Sequence, residues 1–434
     1  MEPAPLVGPA RLSFGFRRRR VIALAVAEIS HPSIRSIRLK ICLFGVTALI
    51  AACTTFFFYD LYFFTEERFG FGHLQNLLLA AGLGYIYSVT SYGAGRFAQR
   101  FGYFFCLRFG LITMILSMAV ASRMDRPVMM LALAAVANCG MCFCWPPLEA
   151  LMSEGEAPVR LQSLVGLYSV SWAIAGALAY FSGGAILQRL GLPWFFYVPI
   201  CGFILVFLLL FWFEKQVLNQ PPAGPGIEQA AHLIADRSGS PVRPAAFLQM
   251  GYLANPMAYV VLNTVVSTAP SLADRFQFKP MIAGFVCSIW LFARAAAFLF
   301  FRMWPKWHYR FRFLAIAYVA MILSFAAMLA LTNIWALVLS QLVLGFCLGL
   351  MYYSSLFYSM DVGEAKGEHG GMHEAAIGLG SGTGPALGAG SLMLFSGSHG
   401  SSAVGVCALL LVGLAALFWI RYRKENRVKR KSPP

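Results

Sequence analysis

Glu67-Arg68-Phe69-Gly70-Phe71 closes the first long apolar stretch of this sequence, and Asp274-Arg275-Phe276-Gln277-Phe278 closes the seventh. The two pentapeptides share the order acid, arginine, phenylalanine, variable residue, phenylalanine, and lie 207 positions apart. Gly155-Glu156 after the fourth stretch and Gly363-Glu364 after the tenth repeat that spacing at 208. One such match is weak, but a common offset at two places marks a duplicated unit of six apolar stretches. Because six is even, both units enter and leave on the same side. The sequence therefore predicts parallel repeats related by an axis along the membrane normal.

The composition explains why those stretches must be membrane spans. Of 434 residues, 59% are hydrophobic and 12% charged, against about 25% charged in soluble domains. The mean hydropathy is +0.69. A helix needs about 20 apolar residues to cross the hydrocarbon core, and twelve segments between Ile41 and Ile420 meet that length. No ten-residue units of alternating polarity occur, which excludes a lipid-facing barrel. The expected architecture is an all-α membrane protein with twelve transmembrane helices in two parallel six-helix repeats. It divides into a basic tail (1–40), an N-terminal six-helix bundle (41–213), a linker (214–246), a C-terminal bundle (247–420) and a second basic tail (421–434).

The net charge of +16 would suggest nucleic acid in a soluble chain, but here the basic residues are sorted by side. With the N-terminus inside, 27 Lys and Arg fall on the inner face and six on the outer, with Arg294 inside a span. That bias places both termini in the cytoplasm of a cell-membrane protein. The Arg17-Arg18-Arg19-Arg20 run and the Arg421 to Lys431 cluster are read as topology signals and lipid-headgroup anchors. No nucleic-acid partner is expected. The apolar piece Val21 to Ala27 is too short for a signal peptide. Ten scattered Cys do not form a secreted disulfide framework.

The connection after the second span reads Gly95-Arg96-Phe97-Ala98-Gln99-Arg100-Phe101-Gly102-Tyr103. With the twelve spans, this resembles the major facilitator superfamily of secondary transporters, whose signature there is roughly Gly-x-Leu-Ala-Asp-Arg-Phe-Gly-Arg-Arg. Gly95, Ala98, Arg100, Phe101 and Gly102 match, whereas Gln99 replaces the Asp. In the family that Asp joins a charge-assisted lock on the cytoplasmic side. Gln99 offers only neutral hydrogen bonds, roughly half as strong. A second segment, Gly378-x-Gly380-x-x-x-Gly384-Pro385-x-x-Gly388-x-Gly390, is similar to the glycine-proline motif of drug and proton antiporters. The family carries it in helix five, and here it lies in the eleventh span, the repeat counterpart. Small residues there imply close helix packing. No strand precedes the segment, so it is not a nucleotide loop.

Ionisable groups inside spans cost roughly 2.5–3.5 kcal/mol at the helix centre, which makes them functional candidates. Arg294, in Trp290-Leu291-Phe292-Ala293-Arg294-Ala295, either snorkels to headgroups or faces a cavity as partner of an acid or an anionic solute. Glu149, after Trp145-Pro146-Pro147-Leu148, and Glu374, beside His373, are candidates for gates or proton carriers, or are solvated helix ends. Asp60 near the outer end of the first span is a coupling or substrate candidate, or an outer-rim residue. Asn263, and Tyr353 among Tyr352 to Tyr358, can contact a ligand with an apolar body. Cys139, Cys142 and Cys144 suit packing filler better than thiolate ligands, so no metal site and no cofactor are expected.

These features point to a non-enzymatic secondary transporter that moves a small organic solute by alternating access, as a monomer among membrane lipids. The glycine-proline resemblance implies proton-coupled export. Uptake of an anionic solute, or a transport-dead sensor or assembly protein on the same scaffold, are the alternatives. The charge bias makes topology directly testable. A cysteine introduced at Pro225 in a thiol-free background should react with impermeant reagents only from the cytoplasmic side, and labelling from outside alone would refute the orientation.

Overall fold

A computed structural model of the chain describes residues 34, 36–154, 156, 158–220, 242–362, 366–395 and 400–423. The arginine run, Pro221 to Gly226, the Gly155 and Gly363-Glu364 members of the repeat, and the basic cluster beyond Arg423 lie outside the described residues. The helices in order are α1 (Ile37–Phe69), α2 (His73–Phe101), α3 (Tyr103–Ala121), α4 (Pro127–Cys142), α5 (Trp145–Ser153), α6 (Pro158–Leu190) and α7 (Trp194–Leu218). After the linker come α8 (Pro244–Arg275), α9 (Pro280–Cys287), α10 (Ile289–Met303), α11 (Phe311–Ala330), α12 (Ile334–Val362), α13 (Lys366–Leu394) and α14 (Ser401–Tyr422). Helices α4 with α5 make the fourth span and α9 with α10 the eighth, so the fourteen α-helices among the described residues form twelve spans.

Both divided spans depart from the continuous helices expected from sequence. In the fourth, Pro146 and Pro147 have no N–H to give, so the carbonyls of Cys142 and Phe143 lose their helical partners. The Cys106 thiol donates to the Phe143 carbonyl at 3.2 Å, one way in which a buried break is made tolerable. In the eighth, the Ser288 hydroxyl donates to the Phe285 carbonyl at 3.0 Å, where the backbone pattern breaks. The first span also starts earlier than expected, at Ile37. Lys40 is fully buried within it, paired with Glu156.

Among the described residues eleven spans are long and apolar enough to cross a membrane, and α13 is not among them. Its surroundings account for its composition, because α13 packs most extensively on α2 and also against α8 and α14. A Cβ on Gly378 would meet the backbone of Ser88 on α2, and one on Gly382 the ring of Tyr85. On the next face, Cβ atoms at Gly380 and Gly384 would strike the carbonyls of Pro256 and Val260 on α8. Residues four apart lie on one helix face, so the two glycine pairs cut two grooves for two neighbours. Gly84 on α2 completes the fit, since a Cβ there would collide with the backbone of Gly382. Pro385 lies inside the helix just after the second pair.

The other seam between the halves joins α6 to α9 and α10, where Gly184 abuts Pro280 and Gly284 abuts Phe181. In span numbers the seams are two with eleven and five with eight. A twofold that exchanges the repeats carries one pair onto the other, as parallel repeats require. Near the start of α1, the Ser36 N–H donates to Gln220 after α7 at 3.1 Å, so six spans return the chain to its starting face. On that face α2 turns into α3 through Gly102 alone, at φ +92°, a region that side-chain-bearing residues rarely enter. Gly95 is buried there against Gly371, while Arg96 and Arg100 are exposed and Gln99 is half-buried.

Gly384→Leu should lower the melting temperature or abolish folding, because overpacking costs about 1–3 kcal/mol even without a backbone collision. Gly390→Leu, with open space around the site, should keep wild-type stability; equal tolerance of both variants would show that α13 is not clamped. Between α10 and α11, His308 is buried and stacked on Phe357 at 4.1 Å. Loss of water around the ring pushes its pKa down to about 4. The unfolded chain gains this proton near 6.5 and the folded chain only near 4. The contribution of His308 to stability is therefore complete above 6.5 and lost as pH falls toward 4. His308→Gln should flatten melting temperature against pH across that interval.

Candidate functional site

Between the halves lies a cavity of about 170 Å³, lined from spans one, two, four, five, seven, eight, ten and eleven. Arg294 projects into it from α10, and its side chain is one of the largest fully enclosed ones in the protein. Its guanidinium carbon sits 4.8 Å from the ring centre of Trp172, 5.2 Å from Tyr352, 5.5 Å from Tyr259 and 5.6 Å from Phe298. Ring faces attract a cation by about 0.5–2 kcal/mol each without cancelling its charge. One guanidinium nitrogen donates to the Tyr259 hydroxyl at 3.1 Å, and Nε has no partner. Among the described residues, no carboxylate forms a salt bridge with Arg294. Of the two sequence readings, the structure therefore shows a residue facing the cavity.

Glu149 and Glu374 come together from opposite halves. Glu149 stands on α5, just after the Pro146-Pro147 break, and Glu374 lines the cavity from α13. With His373 they bring one ligand-capable atom each to within 4.8 Å of one another. All three are buried, with 1–5% of their surface exposed. The Tyr87 hydroxyl, from α2, donates to Glu374 Oε2. His373 Nδ1 lies 3.4 Å from the Ser355 hydroxyl, while its Nε2 is unpartnered. The Glu149 carboxylate lies against Glu374 and the Tyr352 hydroxyl, and neither of its oxygens makes a hydrogen bond of good geometry. These residues are enclosed between helices, so the reading as solvated helix ends does not describe them.

The remaining candidates divide between the cavity and its supports. Asn263 lines the cavity and donates to the Ser381 hydroxyl at 2.8 Å. Tyr353 does not line it. Its ring packs on Trp307 at 5.5 Å and Phe298 at 6.3 Å, and the preceding residue, Tyr352, faces the cavity instead. Neighbours on a helix point about 100° apart, and a run buried on every side, as Tyr352 to Ser355 is, gives no phase to choose between them. Asp60 is buried against Gly183 of α6, outside the lining. Gly380, Gly384, Pro385 and Gly388 support α13 rather than reach the cavity, and Gly388 approaches Leu77 of α2. The thiols of Cys142 and Cys144 donate to helix carbonyls, and Cys139 meets Thr90.

Tyr352 belongs to the Tyr352 to Tyr358 run, whereas no motif in the sequence marks Tyr87, Trp172 or Tyr259. Aromatics make up 15% of the chain, so residue type alone does not choose these three. The polar tip of Tyr259 one turn before Asn263 was the available signal, since both belong to one helix face.

A sequence profile of the Major Facilitator Superfamily matches residues 41–362. No curated protein matches the chain. Among solved structures it is similar to the human organic anion transporter MFSD10, at 15% identity and a TM-score of 0.66, covering 88% of this chain and 99% of that one. It is also similar to a bacterial homologue of the human lysosomal transporter Spinster, at 14% identity and 0.64, covering 91% and 98%. The nucleoside transporter NupG aligns at 15% identity and 0.63, covering 89% and 100%. At such identities the structural likeness speaks for the fold, and the profile for the family. With twelve spans, two repeat-related seams and a cavity between the halves, the chain belongs to the major facilitator superfamily of transporters.

Proposed function

We propose that this protein is a secondary transporter that moves a small organic anion across the cell membrane by alternating access, with Arg294 as the charge that receives the solute. The carrying observation is the neighbourhood of Arg294: four rings, one hydroxyl and, among the described residues, no ion-paired carboxylate. A buried cation is expensive to keep, and polar groups inside a membrane are retained mainly where they work. Rings hold the guanidinium in place while leaving its charge for a ligand. The rest of the lining, with Tyr59, Asn263 and Ser381, suits a solute with an apolar body and few polar groups. MFSD10 carries the description of an organic anion transporter, which agrees with this choice.

The rings around Arg294 come from both halves, Trp172 from the first and Tyr259 and Tyr352 from the second. An anion seated beside them favours the arrangement in which the halves close on it, because a ligand stabilises the state that contacts it best. The glycine-proline segment is accounted for by helix packing, so the direction of transport rests on the gradient applied. The charge bias of the sequence puts both termini in the cytoplasm.

Thermal stabilisation of the purified protein by aromatic and aliphatic carboxylates, each paired with its neutral amide, tests the reading. The acids should stabilise and the amides should not. Arg294→Gln should weaken binding of the best acid at least about tenfold, or 1.4 kcal/mol, and abolish its counterflow in proteoliposomes; Arg294→Lys should lie between. Unchanged affinity in Arg294→Gln, or equal preference for the amides, would overturn the assignment.

A further inference from the structure

We infer that Glu149, His373 and Glu374 form a binding site for a divalent first-row transition-metal ion, such as zinc or manganese, on the seam between the two halves. This goes beyond the anion reading and stands on different residues. The three ligand-capable atoms already lie within 4.8 Å of one another. Around zinc, nitrogen and oxygen ligands sit about 2.0–2.2 Å from the ion, so small side-chain rotations bring the set together.

The cluster holds unsatisfied atoms of the kind an ion would use. Nε2 of His373 is buried without a hydrogen-bond partner, and the Glu149 carboxylate, which lies against Glu374 and the Tyr352 hydroxyl, makes no hydrogen bond of good geometry, at residue exposures of 1% and 3%. A buried polar group left unmade costs about 1–3 kcal/mol, and more when charged. Native structures seldom leave such an atom unsatisfied beside a pair of buried carboxylates, and a bound ion is a standard explanation.

The surrounding bonds fit a ligand set. His373 Nδ1 and the Ser355 hydroxyl lie 3.4 Å apart, and the tautomer in which Nδ1–H donates to that hydroxyl leaves the lone pair on Nε2 for the ion. The Tyr87 hydroxyl orients the Glu374 carboxylate. Metal-bound imidazoles and carboxylates are typically held by such outer bonds. Two carboxylates match a divalent charge. One imidazole among them favours zinc, manganese, iron, cobalt or nickel over magnesium and calcium, and the absence of a thiolate from the cluster disfavours copper(I). Glu149 belongs to the first half, and His373 and Glu374 to the second, so a bound ion ties the halves together. Glu374 also lines the cavity, where open coordination positions of the ion would face the solute.

The test uses full-length protein in detergent, stripped with a chelator and titrated separately with Zn²⁺, Mn²⁺ and Mg²⁺. One equivalent of Zn²⁺ or Mn²⁺ should bind and raise the melting temperature, and Mg²⁺ should do neither. X-ray absorption of the zinc form should show nitrogen and oxygen neighbours, including one imidazole, and no sulfur, which separates this site from the ten cysteines. His373→Gln and Glu149→Gln should each weaken binding at least tenfold. Arg294→Gln should bind the metal as the wild type does, so unchanged anion binding in that variant with metal binding intact would fail the anion reading alone. Sulfur in the zinc shell, wild-type binding by both cluster variants, or proton exchange without a metal equivalent would overturn the proposal. If the variants do not fold, stoichiometry and absorption on the wild type still decide.

Discussion

Backbone meets backbone along α13, and the placement of the cavity depends on that approach. Gly378 and Gly382 admit α2, while Gly380 and Gly384 admit α8. Lipid offers little hydrophobic drive for helices to associate, so close contact must come from shape and hydrogen bonds. Side chains of ordinary size at these positions would push the neighbouring helices apart. Glu374 and Ser381, carried on the same helix, would then move away from Glu149 and Arg294. The composition of α13 thus reflects a helix enclosed by protein, which explains why it is the least lipid-like of the twelve.

Within that frame, charge is distributed by keeping opposites apart. Arg294 is surrounded by rings, and the two carboxylates sit with a histidine at the seam. A direct pair between Arg294 and Glu374 would satisfy both and leave neither for a ligand. Buried ion pairs have strong mutual attraction in a low-dielectric interior, so this separation has to be enforced by packing. Tyr259 and Tyr87 do so from either side, one accepting from the guanidinium and the other donating to the carboxylate. The Pro146-Pro147 break ends α4 and starts the short helix that carries Glu149 inward.

Other charges are paired away from the cavity. Lys40 with Glu156 and Arg108 with Glu214 lie near the face where α1 begins. Arg302, at the end of the eighth span, donates to Ser163 on α6 at 3.2 Å and so crosses between the halves. The family-like connection after α2 contributes its glycines to the fold, with Gly95 against Gly371 and Gly102 in the turn. Arg96 stacks over Tyr92 at 4.6 Å and Arg100 over Phe101 at 5.5 Å.

The sequence by itself determined the solvent, the span number, the repeat and the crowded helix, because each is written in local composition or in a regular offset. Twenty apolar residues can do little else but cross a bilayer, and glycines four apart expose one strip of backbone. It also marked Arg294, Glu149, His373 and Glu374, since ionisable groups are rare in such segments. Only the tertiary structure decided their grouping. Glu149 and Glu374 are far apart in the chain, and no periodicity links two helices across a seam. Likewise the choice of Tyr352 over Tyr353, the removal of Asp60 from the lining and the ring box of Arg294 depend on helix rotation. In spans that are apolar on every side, rotation is set by the neighbours each helix meets.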